Sequence, residues 1–551
     1  MKHTVLKVHP ADNVIVALKD LEAGTSISYN GTEYTLKERI AAKHKFTATD
    51  LRAGDAITMY GVLVGRANTD IPVGMRISTT NVHHAANGYS LSPERRTAWH
   101  QPAVAQFQDR TFNGFHRADG SVGTANYWLV IPMVFCENRN VEVLKVAMLK
   151  ELGYAKPDKY AGFMQQLIAQ QQAGKGTAAI LETTYTEAAA HDNSTRIFPN
   201  IDGIKFLTHE GGCGGIRQDA QTLCGLLAGY ITHSNVAGAT VLSLGCQNAQ
   251  ISMLQEEIAK RDPAFAKPLY ILDQQQTGTE SLLITNAIKQ TFAGLMQANE
   301  NGRQPAPLSK LCIGLECGGS DGFSGISANP AIGYTSDLLV ALGGSVILAE
   351  FPELCGVEQE MSDRCVTTGD ADRFISLMRT YALRAEEAGS GFDMNPSPGN
   401  IKDGLITDAI KSAGAAKKAG TSPVAAVLDY PEKVTKPGLN LLCTPGNDVE
   451  STTAEVGSGA NIVLFTTGLG TPTGNPIAPV LKLSSNTKLY QHMPDIIDIN
   501  TGTIIDGEET IEAAGQRILD YVIEVASGNI QAKSVINGQD DFIPWKRGVS
   551  L

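Results

Sequence analysis

Apolar positions along this chain fall into short alternating runs that repeatedly break into glycine-rich loops. The stretch at 311–334, LCIGLECGGSDGFSGISANPAIGY, sets the pattern. Leu311, Ile313 and Leu315 alternate with small residues, the alternation stops at Glu316, and Cys317 to Gly322 carry almost no side-chain bulk. This reads as a strand emptying into a loop whose backbone can lie against a small polar ligand. A helix is predicted to resume near Tyr334 with Ser336 as its cap. The same order recurs in FLTHEGGCGG (206–215), VLSLGCQNAQ (241–250) and IVLFTTGLGTPTGNP (462–476). Any one such loop is read as a plain turn; four of one kind predict a site where loops converge beyond the carboxyl ends of parallel strands.

Between these units the pattern changes three times. Residues 1–88 are short strand-like segments separated by Gly, Asn and Asp turns, with one short helix predicted in TATDLRAGD, and together predict a small β-rich domain. Residues 89–112 are polar and proline-marked without a sustained period, and are read as a linker. From 113 to 390 strands and helices alternate, starting with an apolar strand from Tyr127 to Phe135 that ends at Cys136. This predicts a largely parallel sheet covered by helices. GSVILAEFPELCG adds a strand ending in acidic residues, and ADRFISLMRTYALRAEEAG an amphipathic helix closed by Gly389. NPSPGNIKDGLIT (395–407) is too rich in Pro and Gly for either element, and 391–551 then resumes the α/β rhythm as a further domain or second lobe.

Composition narrows the function. The chain has 551 residues, 42% hydrophobic, 19% charged and 55 glycines, which describes a folded multidomain protein rich in tight loops. A net charge of -12 with no basic patch argues against nucleic acid as partner, and Lys417-Lys418 is read as a solvated helix face. No apolar run has membrane-spanning length and the N-terminus has no leader-like segment, so a cytosolic location is expected. Nine cysteines form no dense framework; Cys224 and Cys312 are read as core, and Cys213, Cys246 and Cys317 as loop thiols.

ECGGSDGFSGISANPAIGY, NPSPGN, DGSVGT (119–124), SLGCQN (243–248) and FTTGLGTP (465–472) resemble the signatures of the altronate and galactarate dehydratase family, and PADNVIVALKDLEAG with AKHKF resembles its SAF-type β-clip domain. The ending DDFIPWKRGVSL and the opening HPADNV are similar to the altronate branch. The resemblance covers essentially the whole chain. It implies an α/β fold with a small N-terminal β-clip domain (1–88), a linker (89–112) and a two-lobed α/β body (113–390 and 391–551). It also implies dehydration of a sugar acid, altronate to 2-keto-3-deoxygluconate, with iron(II) or manganese(II). A homodimer is in keeping with the family.

That chemistry needs a cation to stabilise enolate-like charge, a base for the C2 proton, an acid for the departing C3 hydroxyl, and donors for the other hydroxyls. The candidate base is His44, with Lys45 beside it, if the β-clip domain closes over the cleft. His209 is a candidate base or metal ligand, and Cys213 and Asp448 are candidate metal ligands. Arg117 is the candidate for the substrate carboxylate. Asn126, Ser320, Asp321, Asn329, Ser397 and Asn400 are candidates for the hydroxyls, and Thr471 for the far end of the acid. Two departures from the family pattern, Ala125 before Asn126 and Thr80-Asn81 in the β-clip tail, bear on which sugar acid is used, with galactarate or another aldonate as alternatives. Cys213, Cys246 and Cys317 also raise an iron–sulfur dehydratase, and the β-clip domain a sugar-acid sensor. Neither GxxxxGK[ST] nor GxGxxG after a strand is present, which sets nucleotide enzymes aside.

Overall fold

The computed structural model describes residues 3–89, 98–156, 159–186 and 195–550. At the N-terminus, β1 (Val14–Ala17) pairs antiparallel with β2 (Lys45–Thr47), and Val5, Ile15, Leu21, Ile27, Leu36, Ile40 and Phe46 close a small core around them. The helix expected in TATDLRAGD does not form. Asp55 accepts from the Arg52 amide (2.8 Å), Asp50 from Val73 (2.8 Å) and Asp70 from Ala53 (2.9 Å), while Leu51 bridges Ile71. Aspartates that bond nearby amides favour turns over a helix. The predicted linker lies partly outside the described residues, at 90–97.

The middle domain holds a parallel sheet of β3 (Tyr127–Pro132), β4 (Gly203–Phe206), β5 (Val236–Ser243) and β6 (Leu269–Asp273), in the order β4-β3-β5-β6. Every residue of β3 and β5 is buried, because helices cover both faces and leave no solvated side. Helix α1 (Arg217–Thr232) lies between this sheet and the next domain.

A second parallel sheet has seven strands: β7 (Cys312–Cys317), β8 (Ser345–Leu348), β9 (Val424–Leu428), β10 (Gly438–Leu442), β11 (Ile462–Thr467), β12 (Val480–Ser484) and β13 (Ile499–Asn500). Their order is β9-β10-β8-β7-β11-β12-β13, so the chain enters at the centre, builds one wing, and returns to build the other. The division expected at 390 is therefore displaced, since β7 and β8 pair with strands from the last third of the chain. The alternating rhythm shows strands but not their partners. β7 lies at the switch point, where loops on either side diverge and leave a crevice.

Local corrections follow from side-chain bonding. Helix α2 (Ala328–Ala341) starts after Ser327, not near Tyr334, and Ser336 sits inside it, its hydroxyl bonding the Ile332 and Lys418 carbonyls. Helix α3 (Thr368–Glu387) is present as expected, followed by Gly389. NPSPGN contains a single helical turn, α4 (Pro398–Lys402), held by a reciprocal capping box between Ser397 and Asn400 with Pro398 at its first position.

One crossing joins the two sheets. Helix α5 (Asp448–Ser458) meets α1 so closely that a Cβ at Gly229 would lie 2.1 Å from the Gly457 carbonyl oxygen. Leu226, Leu227 and Tyr230 of α1 join Ala454 and Val456 of α5 in one buried cluster with β3, β5 and β11. Gly229→Val is expected to force the helices apart and cost about 1–3 kcal/mol, measured as a lower urea midpoint with an unchanged slope.

Candidate active site

The carboxyl ends of β7 and β8 carry a buried cluster of ionisable groups. Cys317 ends β7, and Glu350 and Glu353 follow β8, with ligand atoms all within 4.8 Å of one another. Lys418 Nζ lies 2.5 Å from Glu350 Oε2 and 2.9 Å from Cys317 Sγ, and Lys411 Nζ lies 2.6 Å from Glu353 Oε1. Glu350 has φ 59°, a left-handed conformation that costs a non-glycine residue on the order of 1 kcal/mol or more and clusters at functional sites. The Thr444 hydroxyl accepts its amide at 2.8 Å and helps hold it there.

Glu316, Glu455 and Asp448 extend the cluster. Glu455 Oε1 accepts from the Leu315 amide at 2.8 Å, whereas both Glu316 carboxyl oxygens, Glu350 Oε1 and Glu455 Oε2 are buried without a hydrogen-bond partner. Gly318 lets the loop approach Asp448, since a Cβ there would sit 2.0 Å from Asp448 Oδ2. Five acids thus share the region with two lysines. Burial, then Glu350 and Glu455, push Glu316 well above the usual carboxylate range. Burial also raises Glu353, but Lys411 and Lys418 outweigh it and hold that carboxyl low. Burial lowers Lys418, but Cys317 and then Glu350 and Glu353 outweigh it and push the ammonium well above its ordinary value.

Asp448 is pushed up to about 7, by burial first and then by Glu350 and Glu353. A carboxyl held higher in the folded chain than in the unfolded one stabilises the fold at acid pH, and that contribution disappears as pH rises through the folded value. Asp448 by itself is therefore expected to take on the order of 3 kcal/mol from the stability of the metal-free protein between about pH 4 and pH 7. Thermal melts across this range check the loss, and Asp448→Asn should reduce it, leaving the part that Glu316 and Glu455 contribute.

The β-clip domain docks beside this region. Lys43 Nζ pairs with Asp321 Oδ2 (3.0 Å) and Asp403 Oδ1 (2.9 Å), His44 Nε2 contacts the Lys402 carbonyl (3.0 Å), and Lys45 Nζ donates to the Gly404 carbonyl (2.6 Å). Burial lowers Lys45 to about 8 and also lowers His44. The structure thus brings His44, Lys45, Ser320, Asp321, Ser397 and Asn400 together, with Asn400 Nδ2 bonding the Ser320 carbonyl at 2.7 Å. Several are already committed. Asp321 accepts from the Phe323 and Ser324 amides and from the Ser324 and Ser485 hydroxyls, besides Lys43; Ser397 and Asn400 cap α4.

Other predicted residues lie elsewhere. Arg117 and Asn126 sit at the amino end of β3, where the guanidinium donates to the Ser234 carbonyl (2.7 Å) and Asn126 Oδ1 (2.9 Å), so it is not free to bind a substrate carboxylate. His209 uses Nε2 on the Pro132 carbonyl (2.8 Å) and Nδ1 on the Gly211 amide (3.1 Å), which leaves neither nitrogen for a metal or a C2 proton. His209 and Cys213 line a cleft walled on its other side by Glu450 of α5 and by residues 542–546, and among the described residues they form no tight ligand group with Asp448. Asn329 is spent on the Gly414 carbonyl and Thr466, and Thr471 bonds Thr473. Lys418, read as part of a solvated face, is 1% exposed.

Family models match three consecutive segments: an altronate/galactarate dehydratase SAF domain over 3–85, a D-galactarate dehydratase/altronate hydrolase second domain over 114–299, and a D-galactarate/altronate dehydratase C-terminal domain over 308–550. Altronate dehydratase of Escherichia coli (strain K12) is 32% identical over 99% of both chains. The chain belongs to the altronate and galactarate dehydratase family. Altronate dehydratase of Bacillus subtilis (strain 168) is likewise 32% identical over 99% of each chain, and galactarate dehydratase (L-threo-forming) of E. coli is 31% identical over 95% of this chain and 92% of its own. Of the groups in this family member's buried cluster, Glu316, Glu350, Glu353, Glu455, Lys411 and Lys418 are not marked as site residues by the sequence. Partial signals existed: Glu316 ends the alternation of β7, and β8 runs into acidic residues.

Proposed function

We propose that this chain is a hydro-lyase acting on a sugar acid, D-altronate in the first place, which it converts to 2-dehydro-3-deoxy-D-gluconate by loss of the C2 proton and the C3 hydroxyl. The observation that carries the reading is the buried carboxylate–thiol–lysine cluster at the switch point of the seven-stranded sheet. Its donor set fits a divalent cation such as iron(II) or manganese(II): Cys317, Glu350 and Glu353 would hold it, Glu350 Oε1 has no other partner, and the acids outnumber the lysines. Bound there, the cation supplies Lewis-acid stabilisation of charge on the substrate carboxylate.

The chain's own groups do the rest. Beside the cluster lies a cleft of about 510 Å³ lined by Asn395, Gly446, Asn447 and Arg384. Arg384 offers its guanidinium to the acid's carboxylate, and Asn395, 2.8 Å from Lys411 Nζ, offers its amide to a hydroxyl. Asp448, next to Asn447 and able to exchange a proton near neutrality, carries the proton from C2. The Lys43–Lys45 segment of the β-clip domain positions the Ser320–Asp321 loop and keeps water from its back.

The test is anaerobic turnover of D-altronate, D-galactarate, D-gluconate and D-mannonate with iron(II), manganese(II) or chelator. Metal-dependent 2-keto-3-deoxy acid from altronate is expected. Binding without turnover of any acid, whatever the metal, would defeat the reading and favour a sensor.

A further inference from the structure

The middle domain presents a second set of groups that the dehydration scheme leaves unused. The adjacent parallel strands β4, β3 and β5 each run into a loop at their carboxyl ends, and each loop carries one cysteine: Cys213 after β4, Cys136 after β3 and Cys246 after β5. The loops are tied to one another. The Phe135 amide donates to the Gly211 carbonyl (3.1 Å), the Ala249 amide to the Gly212 carbonyl (3.1 Å), and Asn248 Nδ2 to the Gly215 carbonyl (3.0 Å). These bonds place the residue before Cys136, the residues either side of Cys213 and the turn after Cys246 around one point.

All three thiols are free, and none is fully buried. Their neighbourhood shows in the Cys136 thiol, which is pushed up first by desolvation and then by the proximity of Cys213 and Cys246. A single tetrahedral ion draws thiolates to about 2.3 Å from itself, hence to about 4 Å from one another. Among the described residues, the tight groups with ligand atoms within 4.8 Å are Cys317/Glu350/Glu353 and His84/Cys355/Asp408; the three strand-end thiols stand wider than that. Three converging thiolates at wider spacing suit a polynuclear centre.

We propose that Cys136, Cys213 and Cys246 hold a [4Fe–4S] cluster through three irons, leaving the fourth iron without a protein ligand. Of the three ligands, Cys213 lines the cleft of about 700 Å³ whose wall also includes Phe135, Asn138 and Trp545, and this cleft would give the fourth iron access to a ligand. Its open position takes an oxygen ligand, the carboxylate or hydroxyl of a hydroxy acid. Trp545 also lines the cleft beside Glu353, so the C-terminal tail separates the two sites. Cys317, grouped with the loop thiols from the sequence, is not part of this set: it is buried against Glu350 and Glu353 in the other sheet. The proposal does not depend on the sugar-acid reading, because its readout is the cluster itself.

The experiment is anaerobic reconstitution of the full chain with ferrous iron and inorganic sulfide, after which unbound iron is removed. About four sulfides per chain and a broad absorption near about 400 nm that dithionite bleaches are expected. Cys136→Ser, Cys213→Ser and Cys246→Ser should each lose the band, while Cys312→Ser and Cys365→Ser keep it. In case a variant fails to fold, alkylation of the wild-type chain gives an independent reading: reconstitution should protect those three cysteines from iodoacetamide and leave others unchanged. Iron bound without sulfide, zinc taken in preference, a disulfide as the sole product, or a band that survives the three substitutions would overturn the assignment.

Discussion

Lys418→Met destabilises the metal-free chain by about 3–5 kcal/mol at neutral pH, the cost of removing one partner from a buried ion pair. Lys418 Nζ contacts both Glu350 and Cys317, and nothing else in the cluster can take its place, because Lys411 is held by Glu353 and Asn395. Its loss leaves Glu350 facing Glu316, Glu353 and Asp448 without a cation. Urea denaturation at pH 7 measures the effect. Glu350→Gln in the same chain should restore most of it, because a neutral amide no longer needs the ammonium. If the single substitution left stability unchanged, the acids would have to be protonated already, and metal binding would have to release those protons. Added manganese(II) or iron(II) should also recover stability in the Lys418→Met chain, by supplying the charge that was removed.

Asp448→Asn lowers turnover of the sugar acid by about 10²–10⁴-fold, the range for losing a positioned proton-transfer group. The same change should make the metal-free protein more stable at neutral pH, since it removes a carboxyl that burial and two glutamates hold up to about 7. Activity and stability then move in opposite directions, which a merely structural aspartate would not produce. In the wild type, the acid limb of the pH–rate profile is expected to follow this group. Bound cation offsets the field of Glu350 and Glu353, so that limb falls at or below the value of about 7 found without it. An unaltered profile in Asp448→Asn would move the proton transfer to another residue.

The loops of this protein were legible because their signal is local. An apolar alternation followed by glycines marks a strand end whatever its partners, so the switch-point loop at Glu316–Gly322 was found from sequence. Lys418 shows where local reading stops. In AAKKAG nothing distinguishes it from Lys417, yet packing of α2 against the turn Ala416–Ala419 leaves one lysine half-exposed and buries the other. Arg117 fails for the converse reason: its type suits a carboxylate, but the carbonyl of Ser234, more than a hundred residues away in sequence, had already claimed it. Cys136 carries no motif spacing, and only the sheet order β4-β3-β5 puts it beside Cys213 and Cys246.

The meeting of α1 and α5 at Gly229 and Gly457 has a consequence for how the chain comes apart. One apolar cluster draws on strands of both sheets and on both helices, so each α/β domain shares part of its core with the other, although the middle domain also holds a cluster of its own around Trp128 and Leu144. The two should melt in a single calorimetric transition, with an enthalpy scaling to both sheets together. A fragment limited to 308–550 would carry α5 with its partner face stripped, and would aggregate where the intact chain stays dispersed.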